Sequence, residues 1–259
     1  MIRGLDIFRE RFRQHEGSLV LIGGAACDDW FSRQDLTFRV TKDLDVVLLI
    51  EAVNQDFVVT MRQFIEDGGY EIRERSDGGP PVLYRFAKPA KDAFPAMLEL
   101  FSRGPTGIEL GEGQRIVPVT IGDVGHSLSA ILVDESYYEL LQQNSAPRDG
   151  IAFADVTALI PLKARAWLDL TERRHRGERV DSKAIDKHRN DVFRLAGTLP
   201  GEPGPEVSLA VRADISRFLD AFPERAGEWE GILASLERIF GRSPGPAVLR
   251  KAIKDYFTL

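Results

Sequence analysis

The sequence predicts an α+β fold in two parts: a mixed sheet with flanking helices over residues 1–156, then a helical domain over 157–259. Two observations carry this. Up to about Val133, short apolar and β-branched runs are interleaved with segments of helical spacing. Beyond Thr157 the strand signals vanish and the 3.6-residue period takes over. At 259 residues the chain is long enough for two cores.

In chain order, residues 7–15 read as an amphipathic helix rich in Arg and Glu. Residues 18–22 are a short apolar strand running into Gly23-Gly24-Ala25-Ala26, with a helix continuing through Trp30. The segment 38–50 holds a strand built on Val46-Val47-Leu48-Leu49-Ile50, the most hydrophobic run in the chain. Residues 54–67 place Phe57, Val58, Met61, Phe64 and Ile65 at helical spacing and stop at Gly68-Gly69, a C-cap signal. Strands follow over 70–75 and 82–87, separated by the turn Asp77-Gly78-Gly79-Pro80-Pro81. Three more cover 96–101, 116–121 and 128–133, and a helix covers 137–143. The second domain reads as helices over 158–171, 182–195, 207–221 and 223–240. Its connectors are Pro200-Gly201, Pro203-Gly204-Pro205 and Ser243-Pro244-Gly245-Pro246. No internal repeat interrupts the pattern.

Composition narrows the function classes. Hydrophobic content of 43% and charged content of 29% are those of an ordinary globular chain. No apolar stretch approaches the roughly 20 residues needed to span a membrane, and Met1-Ile2-Arg3-Gly4-Leu5-Asp6 lacks the apolar core of a secretory signal. The single cysteine, Cys27, excludes an internal disulfide framework and a cysteine zinc cluster, and it fits a reducing cytoplasm. The four histidines form no His-x-x-x-His pair. A net charge of −6 disfavours non-specific grip on long nucleic acid, leaving room for a local basic groove.

Asp43 and Asp45 open the hydrophobic strand two residues apart, so in an extended chain they share one face. Two carboxylates on one face repel unless a cation lies between them. Magnesium, which takes oxygen ligands and keeps positions open for phosphates, suits such a pair. Glu99 is a lone acid within the apolar run Met97-Leu98-Glu99-Leu100-Phe101, where desolvation is costly without a partner. Sharing metal with Asp43 and Asp45 would explain it. The plain alternatives are a solvated strand start for Asp43 and Asp45, and for Glu99 a solvent-facing side of a one-sided sheet. A dinucleotide-binding reading of Gly23-Gly24 fails for want of Gly-x-Gly-x-x-Gly.

The arrangement of apolar strand, Gly23-Gly24, helix, Asp43-x-Asp45 and later acid Glu99 resembles the nucleotidyltransferase superfamily with a polymerase-β-like core. Within it the chain is similar to the abortive-infection AbiEii-type nucleotidyltransferase toxins. Gly23-Gly24-Ala25, Thr41-Lys42-Asp43-Leu44-Asp45, Leu162-Lys163-Ala164-Arg165-Ala166 and Asp186-Lys187-His188-Arg189-Asn190-Asp191 carry that likeness. The resemblance implies a nucleotidyltransferase-like sheet and a cytoplasmic, magnesium-dependent enzyme that moves an NMP group from an NTP to an acceptor hydroxyl or phosphate. It implies a two-metal site at Asp43, Asp45 and Glu99, a triphosphate bedded on Gly23 and Gly24, and nucleotide contact by Lys163. The implied acceptors are a tRNA end or a protein side chain, and the implied protein partner is the antitoxin of a toxin–antitoxin pair. An aminoglycoside-like small molecule is the rival acceptor. An idle relative that binds nucleotide or a partner without turnover is the rival class, marked by Ala25 and by Glu in place of Asp at 99.

Read from the residues alone, Lys163 is either an exposed helical lysine or one reaching into a cleft. Lys187 and Asp191, at i and i+4, read as a surface ion pair, which leaves Asp186 and Asp191 little functional weight. Glu172-Arg173-Arg174-His175-Arg176-Gly177-Glu178-Arg179 reads as a solvated helix end and loop, or as cations facing a phosphate-bearing acceptor.

Overall fold

The computed structural model describes residues 2–72, 84–103, 116–119 and 128–259. The chain divides into two compact units: Met1–Asp28 with Arg39–Ala154, and Asp29–Phe38 with Asp155–Leu259. Residues Asp29–Phe38, which the sequence keeps with the first domain, thus belong to the second unit. No helix among the described residues is long and apolar enough to cross a membrane.

The first unit is α+β. Helix α1 (Leu5–Phe12) and a 3₁₀ turn lead into β1 (Leu19–Ile22), and helix α2 (Gly23–Ser32) starts at once. There follow β2 (Asp43–Leu48), α3 (Gln55–Gly68), β3 (Glu71–Ile72), β4 (Arg85–Ala87), β5 (Met97–Ser102), β6 (Ile116–Val119), β7 (Leu128–Leu132) and α4 (Glu135–Gln143). A hairpin of β8 (Ser145–Arg148) and β9 (Ile151–Ala154) completes the sheet. The strand order is β3-β4-β5-β2-β1-β9-β8. Strand β2 runs antiparallel to β1 and parallel to β5, which makes the sheet mixed. The outer edge of β5 is divided: β4 pairs its first half, and β7, which also pairs β6, takes its last two residues. The outer parts of the expected strands over 70–75, 82–87 and 116–121 lie outside the described residues.

Burial follows sheet position. Every residue of β1 and β9 is buried, as central strands require. In β2 and β5 burial alternates at first: Leu44, Leu98 and Leu100 are fully enclosed, while Asp43, Asp45, Met97 and Glu99 are half-covered. Helices α1 and α3 meet through Phe8 against Phe64, with ring centroids 5.3 Å apart, and Phe12 against Phe57 at 5.6 Å. Asn54 caps α3 by accepting the Phe57 N–H at 2.9 Å, and Gly69 ends it at φ 63°.

The second unit holds α5 (Val156–His175), α6 (Ser182–Ala196), α7 (Leu209–Asp220), α8 (Trp229–Phe240) and α9 (Pro246–Phe257). Phe193 anchors its core, 4.6 Å from the Trp229 ring and 5.5 Å from Phe218. Phe31, fully buried, lies 5.0 Å from Phe38 and 6.3 Å from Phe240.

Three elements escaped the sequence pattern. The β8–β9 hairpin turns on Asp149 and Gly150, both at positive φ (50° and 84°), the two-residue Asp-Gly signature. Pro147 hides β8, and proline is tolerated there because β8 lies at the end of the strand order. Helix α9 opens on Pro246, a residue that starts helices at N1 as readily as it stops them elsewhere.

Candidate functional site

The register of β1 against β2 pairs Ile22 with Asp45, so the turn leaving β1 passes beside the second aspartate. Gly23 has φ +65°, and a Cβ built on it would stand 1.8 Å from Asp45 Oδ2. A side chain there is excluded twice, by backbone conformation and by the carboxylate. A Cβ on Gly24 would stand 2.6 Å from Thr41 Oγ1, so this glycine too is closely covered. Helix α2 begins at Gly23, and its first amide groups have no partner within the helix. Bare backbone N–H groups and a carboxylate-bearing strand therefore share one small region.

Strand β5 brings in the third acid. In the parallel pairing of β2 and β5, Asp45 is the register partner of Glu99 and Asp43 of Met97. Register partners on neighbouring strands share a face about 4.8 Å apart. Asp43, two residues from Asp45, projects to the same side. Glu99 does not face open solvent, since its side chain is 12% exposed. Its Oε1 accepts a hydrogen bond from Arg85 Nε, and Arg85 is its register partner on β4. One cross-strand row thus reads Arg85, Glu99, Asp45, Ile22.

Among the described residues, no three His, Cys, Asp or Glu groups stand as a ready-made metal cluster. Asp43 and Asp45 fit a divalent ion by their chemistry, as hard oxygen donors on one half-covered face. Glu99 Oε1 is held by Arg85. Arg85 was missed in the sequence. The available signal was indirect, a strand acid in need of a cation, and choosing the partner required the β4–β5 register.

In the second unit, Lys163 is 5% exposed, so it is not the exposed helical lysine that its sequence context allowed. Its Nζ lies 3.4 Å from Asp191 Oδ2 within the α5–α6 pair. Asp191 has no exposed surface and also accepts from Arg194 Nη1 at 2.9 Å. The surface ion pair expected of Lys187 and Asp191 is therefore corrected: Lys187 is exposed, and Asp191 points inward to Lys163 and Arg194. Asp186 pairs with Arg189 at 3.0 Å. The arginine-rich end of α5 is largely neutralised where it stands, Arg173 by Glu178 at 2.7 Å and Arg176 by Glu172.

A second polar network lies past the other end of β2. The Tyr138 hydroxyl donates to Glu51 Oε2 at 2.6 Å and accepts the Ile50 N–H at 2.8 Å, while Arg103 Nε donates to Glu51 Oε1 at 2.9 Å. Burial pushes the Glu51 carboxyl up, but the Tyr138 hydroxyl and the Arg103 guanidinium outweigh it and hold the group below the usual glutamate range. Burial and the Glu51 hydrogen bond push the Tyr138 phenol up. With every oxygen engaged, this network pins the strand end to α4. In comparisons with known proteins, the chain matches no family model, no curated protein and no solved structure, so the site is read from its own geometry.

Proposed function

We propose that the chain is a magnesium-dependent nucleotidyltransferase that moves an NMP group from an NTP to an acceptor hydroxyl or phosphate. One observation carries the reading: Asp45 lies between the Gly23 turn and Glu99 in a single cross-strand row, with Asp43 on the same face. Asp43 and Asp45 are the residues that would hold magnesium, and Glu99 is the third acid beside them. When bound, the metal supplies charge stabilisation to the triphosphate and to the attacking oxygen. The chain's own part is positional. The Gly23-Gly24 turn leaves amide N–H groups open to an anion at the start of α2, where the helix dipole favours negative charge. Glu99, next to Asp45, is the base for the acceptor proton once Arg85 has left it. Nucleotide contact by Lys163 is proposed on the resemblance alone; in the second unit its ammonium is paired with the buried Asp191. A tRNA end or a protein side chain is the acceptor class proposed. A role in the cytoplasm as the toxin of a toxin–antitoxin pair, neutralised by an antitoxin partner, is proposed with it.

The Arg85–Glu99 pair favours one second reading, an idle relative that binds nucleotide or a protein partner without turnover. Pyrophosphate release separates the two. The full chain is incubated with each NTP, magnesium and cell extract, beside Asp45→Ala. The enzyme reading expects release with wild type and at least a hundredfold less with the variant, roughly the loss of one principal electrostatic element. No release from either protein with any NTP sinks it and leaves the idle reading.

A further inference from the structure

The Arg85–Glu99 pair carries a second inference, which rests on the metal-site reading above. Glu99 stands beside Asp45, yet its carboxylate is taken from the far side by the Arg85 guanidinium. The two partners differ in freedom. The Glu99 side chain is 12% exposed and the Arg85 side chain 42%, so the arginine has solvent to move into while the acid stays enclosed. A carboxylate that already holds a cation attracts a second one less, and each positive charge near a metal site lowers its affinity.

We infer that Arg85 is an internal counter-cation that competes with a divalent metal for Glu99. With Arg85 in place one oxygen of Glu99 is taken, and with Arg85 displaced that oxygen is open to a metal. Affinity for the metal is then set by how readily this ion pair opens, which makes Arg85 a positioning residue acting through Glu99.

The test needs no turnover. Binding of manganese to the full chain without nucleotide is followed by the electron paramagnetic resonance signal of the free ion, for wild type, R85Q, R85K, E99Q, D45N and the double variant R85Q/E99Q. Removing the competing charge in R85Q is expected to tighten binding roughly tenfold. R85K, which keeps the charge without the guanidinium fork, should stay near wild type. R85Q/E99Q should bind no more tightly than E99Q, because the effect runs through the acid. If D45N weakens manganese binding but R85Q leaves it unchanged, Arg85 is a structural partner and the inference falls while the metal site stands. If wild type and R85Q both bind no manganese at millimolar concentration, the site reading and the inference fall together. Should R85Q fail to fold by circular dichroism, R85A takes its place, and unchanged affinity in R85A overturns the proposal equally.

Discussion

Asp191 illustrates how far a residue's surroundings can depart from its sequence neighbourhood. At i+4 from Lys187 in a polar helical stretch it reads as surface, yet it is fully enclosed between Lys163 and Arg194. Removing one partner of a buried ion pair leaves uncompensated charge, which costs far more than the pair contributes. Asp191→Ala is therefore expected to lose about 3–5 kcal/mol of stability in urea unfolding. Lys163→Met should lose less, because Arg194 remains on the carboxyl. At this scale the acids of the candidate site were legible. The two-residue spacing of Asp43 and Asp45 fixes a common face, and an acid inside the apolar run at 99 demands a partner. Arg85 and Asp191 were not legible, since each is defined by a neighbour on another element.

At the scale of elements, helix ends carry most of the readable detail. Asn54 and Gly69 bound α3 close to where the sequence puts them. Asp155 caps α5 by accepting the Thr157 N–H at 2.8 Å and the Ala158 N–H at 3.4 Å. Burial pushes its carboxyl above the usual aspartate range, and these hydrogen bonds only partly pull it back. A folded-state value raised above the unfolded one gives stability that is present in acid and lost as pH rises through the folded value. Asparagine caps as well as aspartate and carries no charge. Asp155→Asn should thus be more stable than wild type at pH 7, with the gain vanishing below the ordinary aspartate range. Urea unfolding at several pH values checks this, and a gain that grows toward acid would contradict it. Glu51, held low, works in the opposite sense and loses its contribution as the solution is acidified. The β8–β9 hairpin and α9 were missed at this scale, and each has a proline inside it or at its start. In both places it marks an edge or a beginning.

For the whole molecule, the chain passes between the units at Asp28–Asp29, at Phe38–Arg39 and at Ala154–Asp155. The second unit therefore depends on a segment far upstream in sequence, and its core includes Phe31 beside Phe240. All three tryptophans, Trp30, Trp167 and Trp229, belong to this unit, so tryptophan fluorescence reports its unfolding alone. Phe31→Ala is expected to destabilise the fluorescence-detected transition by about 3–5 kcal/mol, the usual cost of emptying a buried aromatic site. An unchanged transition would mean that the segment 29–38 adds nothing to that core. The shift from strands to helices near residue 157 was visible in periodicity. The upstream loan of ten residues was not, because no local pattern states which core a short segment joins.

The closeness of Gly23 to Asp45 also bears on how such a chain can change over descent. A methyl group at residue 23 would displace the Asp45 carboxylate, and the left-handed backbone there strains any L side chain even where the acid is lost, so the glycine is held by two independent constraints.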